Sequence, residues 1–299
     1  MSVAIEESRN LGFWTEQEQH KLGSSVVFIA GAGGDGGLIA EELVRMGVGC
    51  GKGGEIRLAD PESFEPENIN RQAASTSATI GKNKASAVAD SLRLIRPSAN
   101  VNVFTEGVTP GNVDRLLEGA NLLVDETEFT LHGIGVLLAR GAVARGIPNL
   151  QVMNIGFGAQ ITSYDPEGRY TLEDRLGLSR TASLHDIANA KVGIERWLAS
   201  MPPYADLAGF SKVASGEKSA PSVAPGVAIA AGFGATQAFL HLVGRDNNRP
   251  RPVYAPHMLS VDAMTGQSKL IKHPRIHFLM DYARLIIENR LGRAPRTDY

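Results

Sequence analysis

With 299 residues, 43% of them hydrophobic and 21% charged, the chain is long enough to bury one large α/β core and has the balance of an ordinary globular protein. A formal charge of −2 gives no long-range attraction to nucleic acid or anionic lipid, and no apolar run reaches the roughly 20 residues of a membrane span. The one cysteine, Cys50, excludes an intrachain disulfide, a four-cysteine zinc site and a CxxC redox pair, and the start MSVAIEESRN lacks the basic and apolar parts of a leader, so a cytoplasmic address is expected.

Residues 1–23 read as a polar helical arm that carries Arg9, with Trp14 and Leu22 available to pin it to the body. Residues 24–60 then read as strand, tight turn, helix and strand. The apolar run at 26–30 meets Gly31, Gly33, Gly34 and Gly36, and Leu38, Ile39, Leu43 and Met46 follow at helical spacing. A second strand at 56–59 ends on Asp60, 24 positions after Gly36. A doubly wound fold holds a nucleotide with this spacing. Glycines admit phosphates to the backbone, a helix start offers unpaired N–H groups, and a carboxylate accepts from ribose hydroxyls.

After Asp60 comes a polar loop, PESFEPENINRQ, leaving the carboxyl end of a strand, where open α/β sheets bind ligands. An amphipathic helix is expected over 84–96, stopped by Pro97, with a strand at 101–105, a helix at 112–119 and a strand at 122–125. A helix at 133–145 and a strand at 148–153 complete a run of strand-then-helix units that implies a mostly parallel sheet. The second half changes character. It has an antiparallel strand at 159–164, a helix over 184–203, a mobile crossover loop at 206–221 and a small-residue helix at 225–243. A hairpin of 253–263 with 267–271 and a last helix over 275–290 follow. In the small-residue helix Gly226, Ala230, Gly234 and Ala238 leave one face nearly bare, suited to close packing against a sheet or a partner helix. The expected organisation is an arm at 1–23, a Rossmann-like nucleotide-binding domain at 24–158, and a substrate and dimerisation half at 159–299 continuing the same domain.

The glycine loop, Asp60, the run Asn68 to Gln72, Lys84 in GKNKA and the acidic strand end VDETEF together resemble the superfamily of ThiF, MoeB and the ubiquitin-activating enzymes, which adenylate carboxylates. The resemblance is specific over residues 9–153, because Arg71-Gln72 followed twelve residues later by Lys84 is not an ordinary dehydrogenase pattern. It implies ATP and Mg2+ as cofactors. Asn68, Arg71, Gln72 and Lys84 would lie at the nucleotide, Asp60 would hold the ribose, and Arg9 would reach over from the other subunit of a homodimer. Glu128 or Asp125 would hold the metal; Glu128 stands where the family has aspartate, and Phe129 where it has asparagine. Asp35 inside the glycine loop is also unlike the pattern. The implied activity makes an acyl-adenylate on a peptide or ubiquitin-like small-protein carboxylate and passes it directly to a nucleophile. Cys50 lies away from the phosphate end, so no enzyme thioester is expected, nor a nucleic-acid or membrane partner. Two alternatives from the residues themselves are an NAD(P)-dependent oxidoreductase, which explains the glycines and Asp60 alone, and a nucleotide-binding scaffold without catalysis.

Overall fold

The computed structural model describes residues 3–206, 212–213, 219–244 and 250–290. Its strands are β1 (Val26–Ala30), β2 (Glu55–Ala59), β3 (Val101–Phe104), β4 (Leu122–Asp125), β5 (Asn149–Ile155), β6 (Gly158–Tyr164), β7 (Met258–Asp262) and β8 (Gln267–Ile271). They form one sheet in the order β3-β2-β1-β4-β5-β6-β7-β8, the first five parallel and the last three antiparallel to their neighbours. The expected mixed Rossmann-like sheet is therefore what the chain builds. Strand order reverses between β1 and β4, and the register sets the tip of β1, Ala30, between Ala59 of β2 and Asp125 of β4. A crevice opens at such a reversal, and in open α/β sheets ligands bind there, outside the carboxyl ends of the strands.

Alternation along β1 divides the core. Val27 and Ile29 join the cluster formed with α2 (Gly34–Arg45), α3 (Lys84–Ile95) and the long C-terminal-half helix, whereas Phe28 and Ala30 join the opposite cluster beneath α4 (Val113–Leu117) and α5 (His132–Val143). In the arm, α1 (Glu16–Gly23) starts at a capping box between Thr15 and Glu18. Leu22 enters the core, and the Trp14 ring packs 5.0 Å from that of Phe239, as the sequence suggests.

Two elements depart from expectation. After α6 (Leu172–Leu176), residues 184–203 are not one helix but a short α7 (Leu184–Ala188) and then a 3-10 turn at Ile194–Arg196. Trp197, Leu198, Ala199 and Met201 are all buried, a run that no helix face can bury. The Gln160 side chain instead ties this stretch to β6, accepting from Ala199 N–H and donating to Ser200 O. The hairpin is also shorter than expected, because Pro256 has no N–H for a ladder, Val253 O and Ala255 N–H pair with Ser163, and Val253 N–H is taken by the Gln237 side chain. Most of the expected crossover loop at 206–221 lies outside the described residues.

The small-residue helix is α8 (Ala224–Val243), and α9 (Pro274–Arg290) closes the chain's described part. The bare face of α8 meets the sheet and α2: a methyl group at Gly234 would lie 2.9 Å from Ile39 Cδ1 and 3.0 Å from Val152 Cγ2. Contrary to the expectation that no apolar run is long enough for a membrane span, α8 is by length and composition able to cross a bilayer, yet most of it is buried inside this fold.

Candidate nucleotide site

The site forms where β1, β2 and β4 end. Gly31 turns the chain at φ +99° and passes so close to the next strand that a methyl group there would lie 2.2 Å from Glu126 O. Gly36 is equally confined, 2.0 Å from Gly31 O by the same construction. Gly33 differs: it starts α2 with no side-chain cap, and its open side faces the Gln72 carboxamide at 3.9 Å. The first N–H groups of α2 are thus left without a side-chain partner, the arrangement that receives anions.

Asp60 is buried, and both carboxylate oxygens accept backbone N–H groups, Oδ2 from Ala32 at 2.7 Å and Oδ1 from Glu62 at 2.8 Å. It therefore shapes the glycine loop, and the remaining lone pairs leave it able to accept from a sugar as well. Burial raises its pKa, and Lys84 works against that rise. The loop from 61 to 83 carries the cations. Asn68 is buried, and its Oδ1 caps a 3-10 turn by accepting from Glu65 N–H at 2.9 Å, which sets the turn whose Asn68 O accepts from both Arg71 and Gln72 N–H. Arg71 is half-buried and donates from Nη1 to Asn70 Oδ1 (2.8 Å) and Glu67 O (3.1 Å). Lys84 is 8% exposed at the first turn of α3, its Nζ 2.6 Å from Glu62 Oε2, and its charge is felt at Asp60 and Glu128.

On the β4 side, Asp125 is buried with both oxygens engaged, Oδ1 by Thr127 Oγ1 (2.7 Å) and Oδ2 by Gln151 Nε2 (3.0 Å). Glu128 is exposed on the following loop; partial desolvation and then Glu62 raise its pKa, while Lys84 opposes them. Among the described residues no three His, Cys, Asp or Glu side chains are grouped to hold a metal by themselves. Phe129 packs edge-on to Trp197 at 6.2 Å, so the residue that replaces an asparagine anchors this loop to a satellite core.

Asp35 does not face the phosphate position. Its carboxylate turns beneath α2 and accepts from Asn154 N–H (2.9 Å) and Asn154 Nδ2 (2.9 and 3.0 Å) at the end of β5. Burial pushes its pKa up from 3.8 to about 6 against those hydrogen bonds and the charge of Arg71. Glu126, accepting from Val152 N–H, is raised well above the carboxylate range, first by burial and then by Asp35. Between an unfolded 3.8 and a folded value of about 6, the folded state binds more protons, so the contribution of Asp35 to stability falls as pH rises through that window. Asp35→Asn removes the titration. Its stability relative to wild type should improve by about 2 kcal/mol between about pH 4.5 and about pH 7.5, read as paired urea denaturation curves.

Arg9 sits elsewhere in its own chain. It is exposed on a 3-10 turn, Ile5–Asn10, whose Glu7 pairs with Arg96 at 2.9 Å and lies against Gly47, just past the end of α2. The turn that carries it thus packs at the C-terminal end of α2, a 12-residue helix about 18 Å long whose other end is the glycine loop. Sequence reading missed Ser75, Asn154 and Gln151. The signal was present in β5, where Asn149, Gln151 and Asn154 interrupt an interior strand and so require partners.

The chain matches the ThiF family over residues 7–277. It belongs to the ThiF family. Over 113 residues it is 32% identical to the tRNA threonylcarbamoyladenosine dehydratase of Haemophilus influenzae, a match covering 38% of this chain and 41% of that one. Over 92 residues it is 34% identical to human ubiquitin-like modifier-activating enzyme 1, covering 31% and 9%. The first curated relatives are spanned over only 23% to 56% of their own length. A structure of Escherichia coli MccB with MccA-N7isoASN superposes with TM-score 0.65 at 17% identity, over 91% of this chain and 73% of that chain, which shows a shared fold. The family is thus the one that residues 9–153 resemble, and the fold is one that MccB shares.

Proposed function

We propose that this ThiF protein is an ATP- and Mg2+-dependent adenylyltransferase that activates a peptide or small-protein carboxylate as an acyl-adenylate, acting as a homodimer. The observation that carries the reading is that two cations of the 61–84 loop sit beside the groups that frame the glycine loop. Lys84 Nζ is 2.6 Å from Glu62, whose N–H donates to the Asp60 carboxylate that also holds Ala32, and Arg71 shares the Asn68 turn with Gln72, the side chain that faces Gly33. Gln72 Oε1 and Ser75 Oγ are buried in the same loop without partners, so the residues present fit a polar ligand against Gly33. MccB structures include one with ATP and others with the peptide MccA, which supports the same substrates here.

In the reaction a substrate carboxylate oxygen forms a bond to the α-phosphorus of ATP, and the bridging P–O bond breaks, its electron pair leaving with pyrophosphate. Arg71 and Lys84 are fixed charges that stabilise the growing negative charge on the leaving group. Asp60 orients the ribose, with Asn68 and Gln72 shaping the loop around the phosphates. Mg2+ would neutralise phosphate charge, and Glu128 would hold it rather than Asp125, whose oxygens are both engaged; Mg2+ sites commonly use only one or two carboxylates. Arg9 would serve the site of a second copy, since its own chain keeps it at the far end of α2.

The test is ATP–pyrophosphate exchange with candidate peptides. Exchange that needs both Mg2+ and a peptide carboxylate is the expected result; ATP binding without exchange for any carboxylate would leave the scaffold reading. Cys50 is half-buried between α2 and β2 with its thiol pKa raised by burial, so Cys50→Ser should keep exchange within about twofold of wild type.

A further inference from the structure

Asp35 and Asn154 have no place in the adenylation chemistry just described, yet they are joined to it. Asn154 Nδ2 donates to Asp35, which leaves Asn154 Oδ1 to accept from Ser222 Oγ at 2.7 Å. Ser222 lies just ahead of α8, and its carbonyl accepts from Asn70 Nδ2 at 3.1 Å. Asn70 Oδ1 in turn accepts from Arg71 Nη1 at 2.8 Å. Four segments distant in sequence, the first turn of α2, the end of β5, the approach to α8 and the cation loop, are thus tied in one line of hydrogen bonds.

We propose that Asn154, clamped by Asp35, is a positioning residue that fixes the Arg71 guanidinium through Ser222 and Asn70. The inference rests on the reading of Arg71 as a phosphate ligand. A carboxamide is required at 154 because it must donate to Asp35 and accept from Ser222 at once; no apolar or purely donating side chain does both. The carboxylate at 35 fixes which end of the amide faces which partner. With both ends set, the Ser222 carbonyl and then the Asn70 side chain have one satisfied arrangement, and Arg71 is held before a ligand arrives.

The experiment uses the full chain and five variants: Asn154→Ala, Asp35→Asn, the exchanged pair Asp35→Asn with Asn154→Asp, Arg71→Ala, and Arg71→Ala combined with Asn154→Ala. Two readouts are taken, hydrogen exchange of the peptide covering 219–226 without nucleotide, and ATP affinity by calorimetry with Mg2+. Asn154→Ala and Asp35→Asn should each speed exchange at 219–226 and weaken ATP about tenfold. The exchanged pair should restore both to within about threefold, since an amide at 35 can donate to a carboxylate at 154 that still accepts from Ser222. Combined with Arg71→Ala, Asn154→Ala should weaken ATP no further. Unchanged exchange in Asn154→Ala, no recovery in the exchanged pair, or independent effects with Arg71→Ala would each overturn the relay. A different failure marks the underlying reading: if Arg71→Ala binds ATP as wild type does, Arg71 is not a phosphate ligand and the positioning role falls with it, whatever the exchange data show of the link itself.

Discussion

Lys84→Ala should lower the rate of ATP–pyrophosphate exchange by roughly 10²- to 10³-fold at saturating ATP while leaving the melting temperature within a few degrees of wild type. The size follows from removing a fixed donor aimed at charge that grows in the transition state, a loss of about 3 to 4 kcal/mol where such donors have been deleted. The small stability effect follows from the partner. Glu62 is largely exposed even though Lys84 is buried, so water takes over the carboxylate when the ammonium is gone. What does change is the field at Asp60 and Glu128, both of which Lys84 holds toward the ionised form. Stopped activity in a folded protein separates a catalytic cation from a structural one, and a variant that keeps full exchange would remove Lys84 from the mechanism. Arg71→Ala is expected to act more through KM for ATP, because its guanidinium is half-buried and bonded only to neutral acceptors.

Much of this site is legible in the order of residues alone, for a physical reason. Gly31 and Gly36 are where the backbone has no room for a side chain, and Asp60 ends a strand that the pattern of 56–59 already marks; such requirements are local and leave a local trace. The parallel half of the sheet is equally plain, since apolar strands alternate there with helices of clear period. What the sequence conceals depends on partners far along the chain. Asp35 reads as a misplaced charge beside phosphates until β5 delivers Asn154 from 119 positions away. The apolar residues at 197–201 look helical in composition, and only the Gln160 side chain, offered by β6, explains why they run otherwise. Phe129 reads as a lost ligand, whereas in the fold it closes on Trp197 and steadies the loop that presents Glu128.

The glycines offer the second large effect, and a contrast that tells fold from function. Gly31→Ala should cost about 3 to 5 kcal/mol and, in a protein of ordinary stability, leave little folded material. Its φ of +99° is strained for any side chain, and the added methyl group would stand 2.2 Å from Glu126 O, a backbone atom fixed by the β1 to β4 pairing that cannot yield. Gly33→Ala should do the reverse. The methyl group there would meet only the Gln72 carboxamide at 3.9 Å, so the loss of stability should stay well below that of Gly31→Ala. Yet this is the residue that opens the start of α2, so the same methyl group should stand where a phosphate approaches the backbone and weaken ATP about tenfold or more. Urea denaturation and ATP titration of the two variants check both halves. Equal loss of stability in both would mean that the glycine loop is only a tight turn; a stable Gly33→Ala that no longer binds ATP ties the open side of the helix start to the nucleotide.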